Sequence, residues 1–264
     1  MTDRDVAARF GFILSTGRTG TKAIAHHLDG CEPGVLARHE PGPSRLLGIA
    51  SNLAICGRVD RASLSWLLRG SHRAALRERD ASLIVESNPF LHGFLEVLDD
   101  VFQRARVIHV VRHPDTYITS ALDWGSHAGA RGLASRFIPY WVLTPDLVEP
   151  APARRRRDMS DAEWLGWRWA AVNRHLNRGV ELFGDRYLRV RFEDVFDAER
   201  GGMDAINRCL GLAVDASGSA RREVVQINAS RPRGNPRPAE WTPALRERIR
   251  ESCGELAALY GYTL

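Results

Sequence analysis

The 264-residue sequence has little lysine: Lys22 is its only one, so nearly all of the positive charge behind a net +5 and a pI near 9.4 is arginine. Arginine grips phosphate and sulfate through two parallel N–H donors, although a GC-rich gene also writes Arg for Lys. Cysteine is scarce. Cys31, Cys56, Cys209 and Cys253 show no CxxC spacing and no metal-ligand pattern with the nine histidines, which argues against a zinc site or a disulfide framework. No apolar run approaches the length that spans a bilayer, and no basic-then-apolar leader precedes the first strand; the expectation is a cytoplasmic chain without a transmembrane segment. Arginine clusters without aromatic interleaving or a recognisable motif argue against nucleic acid as a partner. A Walker A loop is also missing, because Gly20 is followed by Thr21 and Lys22 where that loop needs Gly-Lys-Ser/Thr.

What is present is organised around Phe10 to Leu28. A short apolar run reads as a buried strand, Ser15 to Thr21 as a glycine-punctuated loop, and the alanine-rich stretch after it as a helix. Gly17 and Gly20 let backbone approach a ligand, and the free N–H groups of the helix start favour an anion there. Four more strands follow in the reading: 34–38, stopped by Pro41; 82–86, breaking at Asn88-Pro89; 106–111, ending at Arg112-His113-Pro114; and 186–192, closed by Glu193-Asp194. Helical patterning fills 46–79, Asp115 to Trp124 with Asp115 or Thr116 at its cap, a Trp-rich stretch from the capping box Ser160-Asp161-Ala162-Glu163 to about Leu182, Asp204 to Leu210, and Thr242 to Tyr260. Trp164, Trp167 and Trp169 read as core.

Strands alternating with helices predict an α/β fold, a three-layer sandwich with a central five-stranded parallel sheet flanked by helices, P-loop NTPase-like, in a single domain over 1–264. Residues 126–158, rich in Pro and Gly and carrying the run Arg154 to Arg157, read as a loop or lid on the acceptor side. Ligands of such sheets sit beyond the carboxyl ends of the strands, where every polar signal falls.

Two of those signals together resemble a known family. Gly17-Arg18-Thr19-Gly20-Thr21 is similar to the 5′-phosphosulfate loop of the sulfotransferases that use 3′-phosphoadenosine 5′-phosphosulfate (PAPS), and Arg112-His113-Pro114 with Ser120 to their 3′-phosphate motif. The resemblance implies sulfonyl transfer from PAPS to a hydroxyl or amine of a small-molecule, glycan or lipid acceptor, with no metal required. It places Arg18 against the sulfonyl group, Gly17, Thr19, Gly20, Thr21 and Lys22 around the 5′-phosphate, and Arg112 with Ser120 at the 3′-phosphate. Without the resemblance, Arg112 reads as a surface ion pair and Ser120 as an ordinary helical serine. The basic loop Ser230 to Asn235 resembles the one that closes over the 3′-phosphate, with Arg231, Arg233 and Gly234 as candidates, or is simply an exposed loop.

The sequence departs from the family in three places. Lys22 stands where many members have Thr, Glu86 or Ser87 where several have Lys, and Phe192, a candidate neighbour of the adenine, where Tyr is common. For the base that takes the acceptor's proton, His39-Glu40-Pro41 is similar to the Glu setting of carbohydrate and tyrosylprotein members. Glu40 is the first candidate, with His39 and Glu86 behind it; Glu40 could equally cap a turn or pair with Arg38 or Arg45. A kinase-like phosphoryl transferase and an inactive nucleotide-binding module are the competing readings.

Overall fold

The computed structural model describes residues 9–78, 80–125, 137–149, 151–214 and 233–264. Five runs form strands because their apolar side chains are enclosed on both faces of one sheet: β1 (Arg9–Leu14), β2 (Val35–His39), β3 (Leu83–Ser87), β4 (Arg106–Val111) and β5 (Tyr187–Arg191). All neighbours are parallel and the order is β2-β3-β1-β4-β5. Because β1 lies in the middle, the chain winds to one side of it for β2 and β3 and to the other for β4 and β5. That reversal opens a crevice at the carboxyl end of β1.

The longer helices are α1 (Thr21–Leu28), α2 (Ser44–Ile55), α3 (Arg61–Ser71), α4 (Pro114–Trp124), α5 (Asp161–Asn177), α6 (Gly202–Leu210) and α7 (Pro243–Leu259). Strand alternation sorts the core. Phe10, Phe12, Leu14, Ile84 and Val107 face α2, α3 and the 3-10 stretch Pro89–Val97, whereas Ile13, Val85, Ile108, Val110 and Val190 face α1 and α6. A third cluster joins α4, α5 and α7 around the wholly buried Trp169. The layered parallel α/β architecture expected from the strand and helix pattern is the one observed.

Local chemistry explains the boundaries. Ser160 Oγ accepts from the Glu163 N–H (3.3 Å) while Glu163 Oε2 accepts from the Ser160 N–H (2.8 Å), the reciprocal box that starts α5. Trp164 and Trp169 are buried as core residues. The Trp-rich helix does not run unbroken to Leu182: α5 stops at Asn177 and a short helix, Gly179–Phe183, follows. A Cβ on Gly179 would lie 2.2 Å from the Tyr187 ring, so glycine lets this junction close onto β5. The cap of α4 is neither Asp115 nor Thr116. His113 Nδ1 accepts from the Asp115 N–H (3.3 Å) with Pro114 at the first helical position, and His113 Nε2 donates to Thr263 O (3.0 Å), which fixes the tautomer. The run Arg154 to Arg157 is matched residue by residue to acids, Arg154 to Glu163, Arg155 to Asp146, Arg156 to Asp161 and Arg157 to Asp158.

Candidate active site

One cavity of about 600 Å³ lies over the carboxyl ends of β1, β2, β4 and β5. Its floor is the loop from β1 to α1, wound through the left-handed region at Gly17 (φ 83°), Arg18 (φ 57°) and Gly20 (φ 69°). A side chain on Gly20 would collide with the Phe196 ring at 2.4 Å as well as being strained. Arg18 has no such licence, and a non-glycine residue held there marks a loop whose shape is imposed by its surroundings.

Those surroundings are the predicted partner motif. Arg112 Nη1 donates to the Arg18 carbonyl (2.7 Å), Arg112 Nε to Thr116 Oγ1 (3.0 Å), and Arg18 Nε to Ser120 Oγ (3.3 Å). The two stretches, about a hundred residues apart in sequence, thus brace each other. Arg112 is itself held: Trp169 Nε1 donates to its carbonyl (3.0 Å), and its guanidinium lies 4.4 Å over the Phe192 ring. Burial lowers its pKa, Glu193 opposes that, and the neighbouring Arg18 charge adds to it; burial lowers Arg18 as well. Arg112 forms no ion pair with an acid among the described residues. Two partly desolvated cations this close favour an anion between them.

Across the cavity stand His39 and Glu40. The Glu40 N–H donates to Ser87 O (3.0 Å) and His39 Nδ1 lies 3.0 Å from the same carbonyl, so that nitrogen carries the proton. His39 Nε2 then faces Glu40 Oε1 at 3.4 Å. Burial lowers the His39 pKa, with Glu40 acting against it. Glu40 is a second non-glycine residue in the left-handed region (φ 48°). Both side chains line the cavity.

A model of the sulfotransferase family matches residues 36–216, more than half of the chain, spanning β2 to β5. This chain belongs to the sulfotransferase family. Solved structures agree in fold: the sulfotransferase domain from the curacin biosynthetic pathway (14% identity, TM-score 0.54, 99% of this chain and 100% of that one), the sulfotransferase domain from the Synechococcus PCC 7002 olefin synthase (20%, 0.52, 100% and 98%), and a sulfotransferase from Alicyclobacillus acidocaldarius (15%, 0.51, 97% and 97%). A comparison with curated proteins gives no match.

In this sulfotransferase Gly17, Arg18, Gly20, Thr21, Lys22, Arg112, Ser120, Phe192, His39 and Glu40 all line the same cavity. Thr19 does not; its side chain is fully buried and its Oγ1 has no partner among the described residues, which leaves only its backbone for the loop. Arg231 lies outside the described residues. Arg233 and Gly234 are exposed and do not line the cavity, the Arg233 guanidinium packing against Gly125 instead. Arg237 takes the lining position, because buried Asp123 at the end of α4 gathers the segment: it accepts from the Arg233 N–H (3.2 Å), Asn235 Nδ2 (3.1 Å) and Arg237 Nη1 (2.8 Å). Glu86 is withdrawn from the cavity. It is buried against the other layer, with Oε2 2.5 Å from His72 Nε2 and Oε1 accepting from Asn88 Nδ2 (2.8 Å).

Sequence reasoning missed Arg168, whose Nη1 donates to Thr16 O (3.0 Å) and Tyr117 OH (2.8 Å) at the cavity wall. Its signal was a charge set between two buried tryptophans on one helix. Among the described residues no helix is long and apolar enough to cross a membrane.

Proposed function

We propose that the donor is PAPS and that this sulfotransferase moves its sulfonyl group to a hydroxyl or amine acceptor, with Glu40 taking the acceptor's proton. The observation that supports this best is one cavity lined on the β4 side by the Arg112–Arg18–Ser120 brace and on the β2 side by Glu40 and His39. PAPS brings an activated sulfonyl group with two separated phosphate anions, and the residues fit that demand. The loop and the start of α1 offer backbone N–H groups to one anion. Arg112 offers planar guanidinium donors to the second, 3′-phosphate, and Phe192 beneath it gives an apolar edge for the base.

Each residue then has a separable task. Arg112 binds and does not touch the reacting atoms. Arg18 binds and also faces charge that grows on the departing phosphate, where a fixed cation in a water-poor site is most effective. His39 is held through its Nδ1–H by Ser87 O and, when Nε2 is protonated as well, donates to Glu40 and positions that carboxylate. Glu40 accepts the proton.

Titration calorimetry with adenosine 3′,5′-bisphosphate and turnover assays with PAPS test the scheme. Arg112→Ala should weaken bisphosphate binding at least about tenfold, and a chelator should leave wild-type affinity unchanged. Glu40→Gln should bind normally and lose about a hundred- to ten-thousand-fold in turnover, His39→Ala less. Bisphosphate affinity unaffected by both Arg112→Ala and Arg18→Ala would overturn the donor site.

A further inference from the structure

The strand order divides the cavity. Arg112, Ser120 and Phe192 belong to the β4–β5 side, whereas the β2–β3 side is built from α2, the 3-10 stretch after β3, and the segment around Trp141. That second half has an uneven chemistry. Phe90, Trp141, Val142, Trp164 and Leu165 form its walls. Several polar atoms around them are already engaged: Trp164 Nε1 donates to Leu143 O (2.9 Å), Asn52 Nδ2 donates to Tyr140 O (2.7 Å), and the Asn52 oxygen lies 3.3 Å from His92 Nε2. His92 Nδ1 lies against Pro89 O (2.8 Å), and burial pushes the His92 pKa down to about 3. Among the described residues Glu40 is the only carboxylate lining this half.

Cations complete it. Arg45, exposed on the first turn of α2, holds its guanidinium 5.9 Å from the Trp141 ring centroid and has no acid partner among the described residues. Arg168, deeper in, is bound among the described residues to a carbonyl and a phenol oxygen. Arg237, on the other side of the cavity, is by contrast matched to Asp123, as the run Arg154 to Arg157 is matched to its own acids. A polyhydroxylated sugar needs many convergent donors and acceptors, and this largely apolar wall of Phe90, Trp141, Val142, Trp164 and Leu165 offers few. A flat apolar body fits it, and an anion at its outer end fits Arg45.

We propose that the acceptor is a hydroxylated aromatic acid: an aryl body laid against Phe90, Trp141 and Trp164, its hydroxyl directed at Glu40 and its carboxylate held by Arg45 at the cavity mouth. This deepens the donor reading above and rests on it for turnover. The acceptor oxygen forms a new O–S bond as the bridging S–O bond of the donor breaks; its proton passes to Glu40 and the bond's electron pair leaves on the nucleotide's 5′-phosphate. Arg45 takes no part in that step and acts on affinity alone.

The test is binding, so it does not depend on catalysis. Calorimetry on the full chain, with adenosine 3′,5′-bisphosphate present and absent, compares 3-(4-hydroxyphenyl)propionate, its methyl ester and a free hexose. The acid should bind about tenfold more tightly than the ester, as expected for one charge-assisted contact, and the hexose should not bind. Arg45→Ala should bring the acid to within about twofold of the ester, and Arg45→Lys should restore part of the gap. Equal affinity for acid and ester in the wild type, an Arg45→Ala loss shared equally by both, or preference for the hexose overturns the inference. If the acid binds through Arg45 while the bisphosphate does not bind at all, the inference stands and the donor assignment falls.

Discussion

Glu86→Gln separates stability from chemistry at the strand where sequence reasoning placed an alternative base. His72 Nδ1 donates to Leu68 O (2.9 Å) and its Nε2 faces Glu86 Oε2 at 2.5 Å, with both side chains almost wholly buried. Burial acts to lower the His72 pKa, but the Glu86 hydrogen bond and charge, aided by the Leu68 carbonyl, outweigh it and leave the pKa raised. Such a group contributes fully below its unfolded value of 6.5, and the contribution is lost as pH rises through the raised folded value. Glutamine keeps the shape. It can still accept from Asn88 and can donate its amide to a neutral His72 Nε2, so at pH 8 the cost should be about 0.5–1 kcal/mol. At pH 5.5 the unfolded chain binds a proton that the variant's neutral His72 refuses, and the gap widens by up to about 1.4 kcal/mol per pH unit below 6.5. For a chain of this size 1 kcal/mol is about 2 °C. The Tm deficit should therefore grow from about 1–2 °C at pH 8 to about 4–5 °C at pH 5.5, read by circular dichroism, with turnover at neutral pH close to wild type. A deficit that is flat or shrinks toward acid pH refutes the ionised pair. Loss of turnover by a hundredfold or more with a normal Tm would move the base from β2 to β3.

Two further substitutions probe the walls. Gly20→Ala, forced to a φ near 69° with its Cβ 2.4 Å from Phe196, should weaken bisphosphate binding more than tenfold and cost about 1–2 kcal/mol in stability; calorimetry showing wild-type affinity would deny that the loop's shape matters. Asp123→Ala strips one acceptor from three donors, and since Arg237 is 40% exposed and regains water, the expected loss is only about 1–2 kcal/mol. The clearer readout is faster amide exchange across 233–237 with severalfold weaker nucleotide binding, and unchanged exchange there would show that Asp123 does not anchor the segment.

The sheet was legible because each strand is apolar on both faces and ends in a breaker. Predicted and observed strand ends differ by at most a single residue, as at β2, read as 34–38 and observed at Val35–His39, while β4 coincides at Arg106–Val111. Caps made from neighbours in sequence, such as Ser160 with Glu163, were legible for the same reason. What depended on distant partners was not. Nothing local distinguishes Arg237 from Arg233, because the choice is made by Asp123, more than a hundred residues earlier. Nothing local shows that Glu86 turns toward His72 rather than the cavity, since strand alternation assigns it a face without saying which face carries the ligand. His113 as a cap required knowing that Thr263 would occupy its other nitrogen.

The central position of β1 has a consequence for how such a chain diversifies. The proposed nucleotide half draws mainly on one flank of the sheet and the opposite half mainly on the other, with the loop after β1 shared between them. Drift in α2, the stretch after β3 and the segment around Trp141 alters what the enzyme modifies without disturbing the Arg112–Arg18 brace. Selection can therefore exchange one clientele for another while the machinery for the common donor is left alone, and overall sequence identity to other sulfotransferases can fall far before the architecture does.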